Sequence, residues 1–167
     1  VRKIKKEDID FVIENIRDAD KREIQDASGL NYKDSLRRIY KMNENAWTGE
    51  VDGEIVAIFG VQMASYLTGN GIPWMISTKG IEKHALTFTR HCKPVFKMMT
   101  KECKNLFNFV DDRNDLAKMW LKWLGFELLD PQPYGAKQLP FRMFKMKLRQ
   151  IMCDPVTATL VVIAVAG

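Results

Sequence analysis

The spacing of hydrophobic residues changes several times along this chain, and each change predicts a new helix or strand. Within residues 6–16 the apolar positions fall three or four apart, which is one face of an amphipathic helix with acidic residues in its first turn. That face carries Ile9, Val12, Ile13 and Ile16. Residues 1–4 predict a short edge strand before this helix. Two further short helices, ending near residues 27 and 41, are expected to be scaffold.

A β-hairpin is predicted for residues 46–62, because two strand-like runs flank Asp52-Gly53. An Asp-Gly pair supplies the two positive-φ positions of a type I′ turn, whose twist matches that of paired strands. The second run, residues 54–62, is apolar on both faces and is therefore expected in the centre of a sheet. Residues 66–72 predict a loop that leads to a third strand over residues 73–78.

The stretch from Trp74 to Cys103 is the one around which we expect the fold to be organised. A buried strand passes through a turn over residues 79–84 into a helix that begins near Ala85. The first N–H groups of such a helix lack backbone partners and together stabilise an anion such as a phosphate. Pro94 predicts a kink or break one turn earlier in this helix. Its inward face is predicted to carry Ala85, Phe88, Cys92, Val95, Phe96, Met99 and Cys103.

The remaining pattern repeats the strand–helix order and ends in two strands. Residues 105–110 predict a strand, residues 115–124 an amphipathic helix that Gly125 ends, and residues 126–129 and 141–148 two strands joined by a loop over residues 131–140. The buried face of that helix is predicted to contain Leu116, Trp120, Trp123 and Leu124. The whole order, β-α-α-β-β-β-α-β-α-β-β with two or three helices before the second strand, describes an α/β protein with a mixed sheet. We assign residues 1–148 to one domain and residues 149–167 to an apolar tail.

Composition narrows the class of protein. The chain has 167 residues, of which 46% are hydrophobic and 28% charged, as expected for one globular domain and not for a disordered chain. Cys92, Cys103 and Cys153 are odd in number and widely spaced, which argues against a disulfide framework or a zinc site and for a reducing compartment. Only two histidines are present, so we predict no metal centre. The net charge of +5 weakly favours anionic partners.

The element order resembles that of the GNAT N-acetyltransferase superfamily, and one local motif supports the resemblance. The Asn, the Ala three residues later and the closing Gly-Phe common in that superfamily match Asn114, Ala117, Gly125 and Phe126. GNAT enzymes bind acetyl-CoA in a V-shaped gap between two central parallel strands. The resemblance therefore implies acetyl-CoA or CoA as the cofactor and an amine as the acceptor. The chain is also similar to small GNAT-like proteins that short-tailed bacteriophages encode beside internal virion proteins, which implies the host cytoplasm or the virion as its location.

Three features of the family pattern are absent. Many GNAT enzymes carry Gln/Arg-x-x-Gly-x-Gly/Ala at the crossing, a Tyr acid seven residues after the motif Asn, and a carboxylate base on the strand before the crossing. Here the crossing has one glycine, the Tyr position is Leu121, and residues 74–78 contain no acid. Acetyl transfer can still run on proximity if the amine arrives neutral.

The candidate site residues follow from the crossing and from the resemblance. The predicted coenzyme-binding residues are Ser77, Lys79, Gly80, Lys83, His84 and Asn114. The candidate catalytic residues are Ser77, His84 and Glu50, with Glu54 or an ordered water as further substitutes for the base. The sequence does not select among them.

Two functions remain open at this point. The first is a divergent acetyl-CoA-dependent N-acyltransferase that acts on an amine of a host or phage macromolecule. The second is a catalytically inactive GNAT fold that serves phage morphogenesis or host interaction. A stripe of basic residues suits nucleic acid or the coenzyme 3′-phosphate, but we favour a solvated surface and do not expect nucleic acid. Its members are Lys83, Arg90, Lys97, Lys101 and Lys104. The tail is too short to span a bilayer, and we expect it to form a dimer or assembly contact.

Overall fold

A computed structural model describes residues 1–42 and 45–148, in which five helices pack on one seven-stranded sheet. The helices are α1 (Lys6–Asn15), α2 (Asp18–Ser28), α3 (Tyr32–Met42), α4 (Ala85–Met99) and α5 (Asp115–Leu124). The strands are β1 (Arg2–Lys3), β2 (Ala46–Val51), β3 (Glu54–Ser65), β4 (Asn70–Ser77), β5 (Asn105–Asp111), β6 (Glu127–Tyr134) and β7 (Leu139–Lys147). The mixed α/β fold is confirmed, and three helices precede β2, one for each helical segment predicted there. The predicted tail and its assembly contact lie outside the described residues.

The strands lie in the order β1-β2-β3-β4-β5-β7-β6, and β4–β5 is the parallel pair among antiparallel neighbours. The predicted hairpin is confirmed, because Asp52 and Gly53 join β2 to β3 with φ angles of 51° and 80°. Strand β3 lies inside the sheet, as its two apolar faces predict. The sheet therefore places the crossing from β4 to α4 at its centre.

Two hydrophobic clusters cover the two faces of the sheet. The first joins α1 and α3 to β3 and β4 through Ile9, Val12, Ile13, Ile16, Leu36, Ile58 and Ile76. The second joins α5 to β3, β5 and β7 through Val61, Cys103, Leu106, Val110, Leu121, Phe126 and Phe144. Because the two helix layers pack on opposite faces, a gap between two strands of the sheet would be lined by side chains from both layers.

Three sequence predictions are wrong in detail. Helix α4 continues through Pro94, so of the predicted kink or break the break is absent. The predicted loop over residues 131–140 is mostly strand. Because β6 is an edge strand, it makes ladder hydrogen bonds on one side only, and Pro131 and Pro133 are tolerated although they have no N–H group to donate. Helix α5 buries Leu121, whereas Leu116 and Trp123 are 47% and 42% exposed, so its predicted inward face is rotated.

Candidate functional site

The central strands of the sheet part shortly after they meet. Among the described residues, β4 and β5 pair at Asn70 with Asn105 and at Gly71 with Leu106. The Asn108 side chain then bridges the two strands, because Nδ2 donates to the Pro73 carbonyl at 2.9 Å and Oδ1 accepts from the Phe109 N–H at 2.8 Å. Beyond this bridge the strands leave an open wedge.

The far end of the wedge is closed by the segment that joins α1 to α2. The Ser77 N–H donates to Asp20 Oδ2 at 2.8 Å, and the Ser77 carbonyl accepts from the Arg17 N–H at 3.1 Å. Backbone groups alternate along a strand, so the N–H and C=O of Met75 point in the same direction as those of Ser77. Met75 therefore presents one backbone donor and one acceptor to the wedge.

A cavity of about 770 Å³ occupies this wedge. Its wall includes Glu23 and Trp74 from one face of the sheet and Cys92, Trp120 and Phe126 from the other. The lining is mainly apolar, with a few carboxyl and amide groups among aromatic rings. Such a cavity is typical of a site for a small organic ligand.

A carboxyl with an unusual pKa lies on the wall of this cavity. Glu23 of α2 is half-buried, and its Oε2 accepts a hydrogen bond from Asn114 Nδ2 at 3.1 Å. Burial is the main cause that raises the pKa of Glu23 to about 7. The hydrogen bond from Asn114 lowers this pKa, and the nearby negative charge of Asp20 raises it. Burial also raises the pKa of Asp20, one helical turn earlier. A carboxyl that titrates near neutrality can accept a proton at physiological pH.

Asn114 connects this carboxyl to the fourth-helix motif. The residue is buried and caps α5, with Oδ1 accepting from the Ala117 N–H at 3.3 Å. An N-cap Asn uses its side-chain oxygen for the cap, so its side-chain NH₂ group stays free to donate, and here it donates to Glu23. Ser77 also lines the cavity and is 1% exposed. Of the predicted coenzyme-binding residues, the structure brings these two to the wedge.

Three of the other predicted coenzyme-binding residues, Gly80, Lys83 and His84, lie around a different carboxylate. Glu54 of β3 lies beneath the 3₁₀ turn at Lys79–Glu82, in contact with Gly80 and 3.8 Å from Lys83 Nζ. His84 Nε2 is 3.2 Å from the same carboxylate. Within the part of the chain that is described, Lys79, Gly80, Lys83 and His84 do not line the cavity. Their predicted roles stay predictions.

Glu50, the third catalytic candidate, is paired with a cation. Arg2 donates to its Oε1 from Nε at 3.1 Å and from Nη2 at 2.7 Å. Glu50 lies on the cavity wall, and its catalytic role is untested. Leu121, at the position where many GNAT enzymes have Tyr, is 8% exposed and belongs to the core.

Two indole N–H groups on the cavity wall have no hydrogen-bond partner. Trp74 Nε1 and Trp120 Nε1 are both buried, and among the described residues neither finds an acceptor. Leaving a buried donor unpaired costs about 1–3 kcal/mol. Both side chains line the cavity, one from β4 and one from α5. These donors are therefore available to a ligand.

Sequence reasoning missed the acids of α2. Helix α2 was expected to be scaffold, although one signal distinguishes it. Asp20, Glu23, Ile24 and Ala27 fall on a single helical face, so two acids share the side with two apolar residues. An acid on an apolar face is a candidate for a shifted pKa.

Several other expectations concern the surface and the cysteines. All five members of the basic stripe are exposed. Cys92 and Cys103 are buried free thiols, and burial raises the pKa of Cys92 to about 12, so both are inert as predicted. In residues 1–42 and 45–148 no group of His, Cys, Asp or Glu is arranged to hold a metal ion. None of the helices described has the length and apolar content needed to cross a bilayer.

The fold is that of known acetyltransferases. No family model and no curated protein matches the sequence. Among solved structures, Ard1 from Thermoplasma volcanium aligns with a TM-score of 0.66 at 14% identity, over 89% of this chain and 97% of that one. Ribosomal-protein-alanine N-acetyltransferase from Brucella melitensis gives 0.63 at 12%, over 88% and 98%. A GNAT-family acetyltransferase from Bacillus anthracis gives 0.63 at 12%, over 87% and 92%. The chain therefore has the GNAT acetyltransferase fold.

The wedge suits the amide-bearing arm of a coenzyme A thioester. Such an arm carries carbonyl acceptors and N–H donors, which match the free backbone pair of Met75. The unpaired Trp120 N–H, on the α4–α5 side of the cavity, is a further donor for a carbonyl. The phosphate end fits less well, because Glu54 places negative charge beneath the 3₁₀ turn where the family has a glycine loop. The residues present therefore fit the arm better than the phosphates.

Proposed function

We propose that this protein is an N-acyltransferase that moves an acetyl group from acetyl-CoA to an amine. The observation that carries the proposal is Glu23, a carboxyl with a pKa of about 7 on the wall of a cavity between parted parallel strands. An ammonium ion must lose a proton before its nitrogen can attack, and a base that titrates near neutrality serves that purpose. The GNAT fold agrees with this chemistry.

The chain's own residues divide the work of binding. Met75 and Trp120 would hold the amide-bearing arm of the coenzyme, and the first N–H groups of α4 with Lys79 and Lys83 would face its phosphates. Glu23 and Asp20 would face the ammonium group of the acceptor. Asn114 keeps the Glu23 carboxyl in place through its bond to Oε2.

Acetyl-CoA supplies the acyl group as an activated thioester when it is bound. Glu23 takes a proton from the ammonium group, and the nitrogen lone pair forms the new C–N bond as the thioester C–S bond breaks. After the C–N bond forms, the nitrogen must lose a second proton. Leu121 has no proton to give the departing sulfur, so this second proton from the nitrogen reaches the sulfur through solvent. The proton on Glu23 is returned to water after the amide leaves. The role of the protein is chiefly to align the two reactants and to remove one proton.

A thermal-shift titration with acetyl-CoA tests the first half of the proposal. A ligand at one hundred times its Kd stabilises the folded state by about 2.7 kcal/mol, which is readily measured as a rise in Tm. The Lys79→Glu/Lys83→Glu variant should lose that rise. Lys97→Glu/Lys101→Glu makes the same change of charge at exposed positions further along α4 and the turn after it, and should keep it. No rise in the wild type would refute coenzyme binding.

A second function is favoured by the crossing itself. Glu54 lies 3.8 Å from Lys83 Nζ and 3.2 Å from His84 Nε2, where an anion would otherwise bind, and Leu121 stands where many GNAT enzymes have the Tyr acid. We propose as the alternative that the fold is catalytically inactive and binds a phage or host protein during phage morphogenesis. This alternative also draws on the resemblance to GNAT-like proteins of short-tailed phages. It predicts neither a thermal shift with acetyl-CoA nor acetyl transfer.

We also propose that the apolar tail mediates self-association. Residues 156–167 contain no charged side chain, and a continuous apolar surface in water favours a partner. Light scattering of the full chain and of a chain ending at Gln150 measures this directly. The full chain should have at least twice the mass of one subunit and the shortened chain the mass of one. Equal oligomeric states would refute the proposal.

A further inference from the structure

The half of the cavity beneath α2 is an aromatic pocket. Strands β4 to β7 supply its rings, which are Trp74, Phe109, Tyr134 and Phe141. The rings of Phe109 and Tyr134 stack with centroids 3.8 Å apart, and Tyr134 and Phe141 lie 5.4 Å apart. Contacts between rings hold these side chains in fixed positions. The pocket is therefore preformed and suits a flat or branched apolar group.

Trp74 adds a directional feature to this pocket. A Cβ on Gly60 would lie 2.8 Å from the indole ring, so the absence of a side chain at Gly60 lets the ring rest on the sheet. In that position Nε1 is buried and, in the described part of the chain, unpaired. A buried N–H at a cavity wall recovers its lost hydrogen bond when a ligand brings an acceptor.

The charges around the pocket are also specific. Asp20 and Glu23 lie one turn apart on α2, so two carboxyl groups lie at one place on the wall, and a bound ammonium group would favour their ionised form. A neighbouring groove on α2 is lined by four basic residues, Lys21, Arg22, Arg113 and Lys137, and by two acids, Asp18 and Asp26, so its net charge is positive. Asp26 is already paired with Arg113 and with Lys137 at 2.8 Å. Positive charge in this groove disfavours a ligand that carries several ammonium groups along its length.

We propose that the pocket binds a small primary amine with a single ammonium group, an aromatic or branched apolar body, and one hydrogen-bond acceptor on that body. The ammonium group faces Asp20 and Glu23, the apolar body lies among the rings, and the acceptor atom receives the Trp74 N–H. This inference rests on the proposed function only in naming the amine as the acyl acceptor. The binding mode itself is independent of acyl transfer.

The test is a titration of the full chain, labelled with ¹⁵N, followed through the indole N–H resonances. The chain has four tryptophans, and the resonance missing from Trp74→Phe identifies the Trp74 signal. The probes are 2-(4-methoxyphenyl)ethylamine, 2-phenylethylamine and spermidine. The first has all three proposed features, the second lacks the acceptor atom, and the third has several charges and no apolar body. Trp123→Phe makes the same change at a side chain outside the cavity and is the control.

The methoxy amine should shift the Trp74 resonance in a saturable way and bind about tenfold more tightly than 2-phenylethylamine, the difference expected for one neutral hydrogen bond. Trp74→Phe should remove that tenfold preference, and Trp123→Phe should keep it. Equal affinities in the wild type, an unmoved Trp74 signal, or tighter binding of spermidine would each overturn the proposal. Saturable binding without acetyl transfer would refute the proposed reaction and leave the pocket assignment standing.

Discussion

Asn114 uses its two side-chain atoms for two different purposes, capping α5 through Oδ1 and holding Glu23 of α2 through Nδ2 at 3.1 Å. The two residues are 91 positions apart in the chain. The residue that begins the motif helix thus also positions the carboxyl that we propose as the base. Changes at either residue should therefore alter the same proton transfer.

Replacing Glu23 by Gln should lower kcat for acetyl transfer about 100-fold, because the amide cannot accept a proton and general-base catalysis typically contributes at least this factor. In the wild type, kcat/KM should rise with pH through a pKa near 7 and level off above it. Measured as kcat/KM for the acceptor amine at saturating acetyl-CoA, that rise should be missing in Glu23→Gln. Stabilisation by acetyl-CoA should be the same in both proteins, and an unchanged pH profile would contradict the role of Glu23.

Replacing Asn114 by Asp should move the same rise in activity to higher pH. Asp keeps an oxygen for the Ala117 N–H, so the cap survives. It removes the donor to Glu23 and adds a nearby negative charge, and both changes disfavour the Glu23 carboxylate. The pH–rate profile should shift by about one pH unit. A profile identical to that of the wild type would show that the Asn114–Glu23 bond does not influence the base.

Glu23 should also make stability depend on pH near neutrality. Its pKa is raised from 4.5 to about 7 in the folded state, so between these values the folded chain keeps a proton that the unfolded chain has lost. Stability therefore falls as pH rises through this window. In urea unfolding, the wild type should lose on the order of 2 kcal/mol of stability between pH 5 and pH 8 because of Glu23. The Glu23→Gln variant should not show this loss. Equal pH dependence in both proteins would contradict the raised pKa.

Asp8 should have the opposite effect in acid. Burial opposes its ionisation, but hydrogen bonds from Arg2, Thr48 and the Lys5 N–H prevail and lower the pKa of Asp8 from 3.8 to about 2. Its contribution to stability is complete above about pH 4 and is lost as pH falls toward 2. Asp8→Asn should cost about 2 kcal/mol at pH 7, the free energy that corresponds to this lowering of the pKa, while Arg2 keeps its bonds to Glu50. In urea unfolding at pH 2 the two proteins should differ much less.

Two glycines of the β2–β3 hairpin should differ sharply in their tolerance of alanine. A Cβ at Gly60 would lie 2.5 Å from the Asn45 carbonyl oxygen and 2.8 Å from the Trp74 ring. At Gly49 the nearest atom, Phe59 Cε1, would be 3.4 Å away. Gly60→Ala should therefore lose about 2 kcal/mol of stability, and Gly49→Ala less than about 1 kcal/mol. Similar losses in thermal unfolding would contradict this assignment of space around Trp74.

Much of the fold follows from local signals in the sequence. The hairpin is predictable from Asp52-Gly53, since the turn type needs two positive φ angles, and the cap of α5 from Asn114 and Gly125. The strand nature of residues 131–134 is not predictable locally, because proline is acceptable there only on account of the edge position of β6. The position of β6 at the edge of the sheet depends on its pairing with β7 and on the order of the other strands, which these residues do not encode.

The chemistry of the site is even harder to predict from short stretches of sequence than the fold is. The acids on the apolar face of α2 make Glu23 a candidate for a shifted pKa, but they do not locate the cavity. The pKa of this carboxyl also depends on β5 and on the residue that caps α5, which follow more than eighty residues later. The crossing after β4 is a strong local signal, yet its charged residues are turned toward Glu54. Whether an anion meets those residues depends on side chains from the hairpin, which the pattern around residues 79–84 does not contain.

The Asn108 bridge has a consequence for how far a ligand can enter. The side-chain amide of Asn108 takes the place of the next backbone hydrogen bond between β4 and β5, so this one residue closes the inner end of the wedge. One residue of strand is about 3.3 Å long, so a shorter side chain at this position would deepen the wedge by roughly the length of two methylene groups. Acyl chains longer than acetyl would then have room. In the proposed acyltransferase, the length of the transferred acyl group could thus be changed by substitution at Asn108 alone.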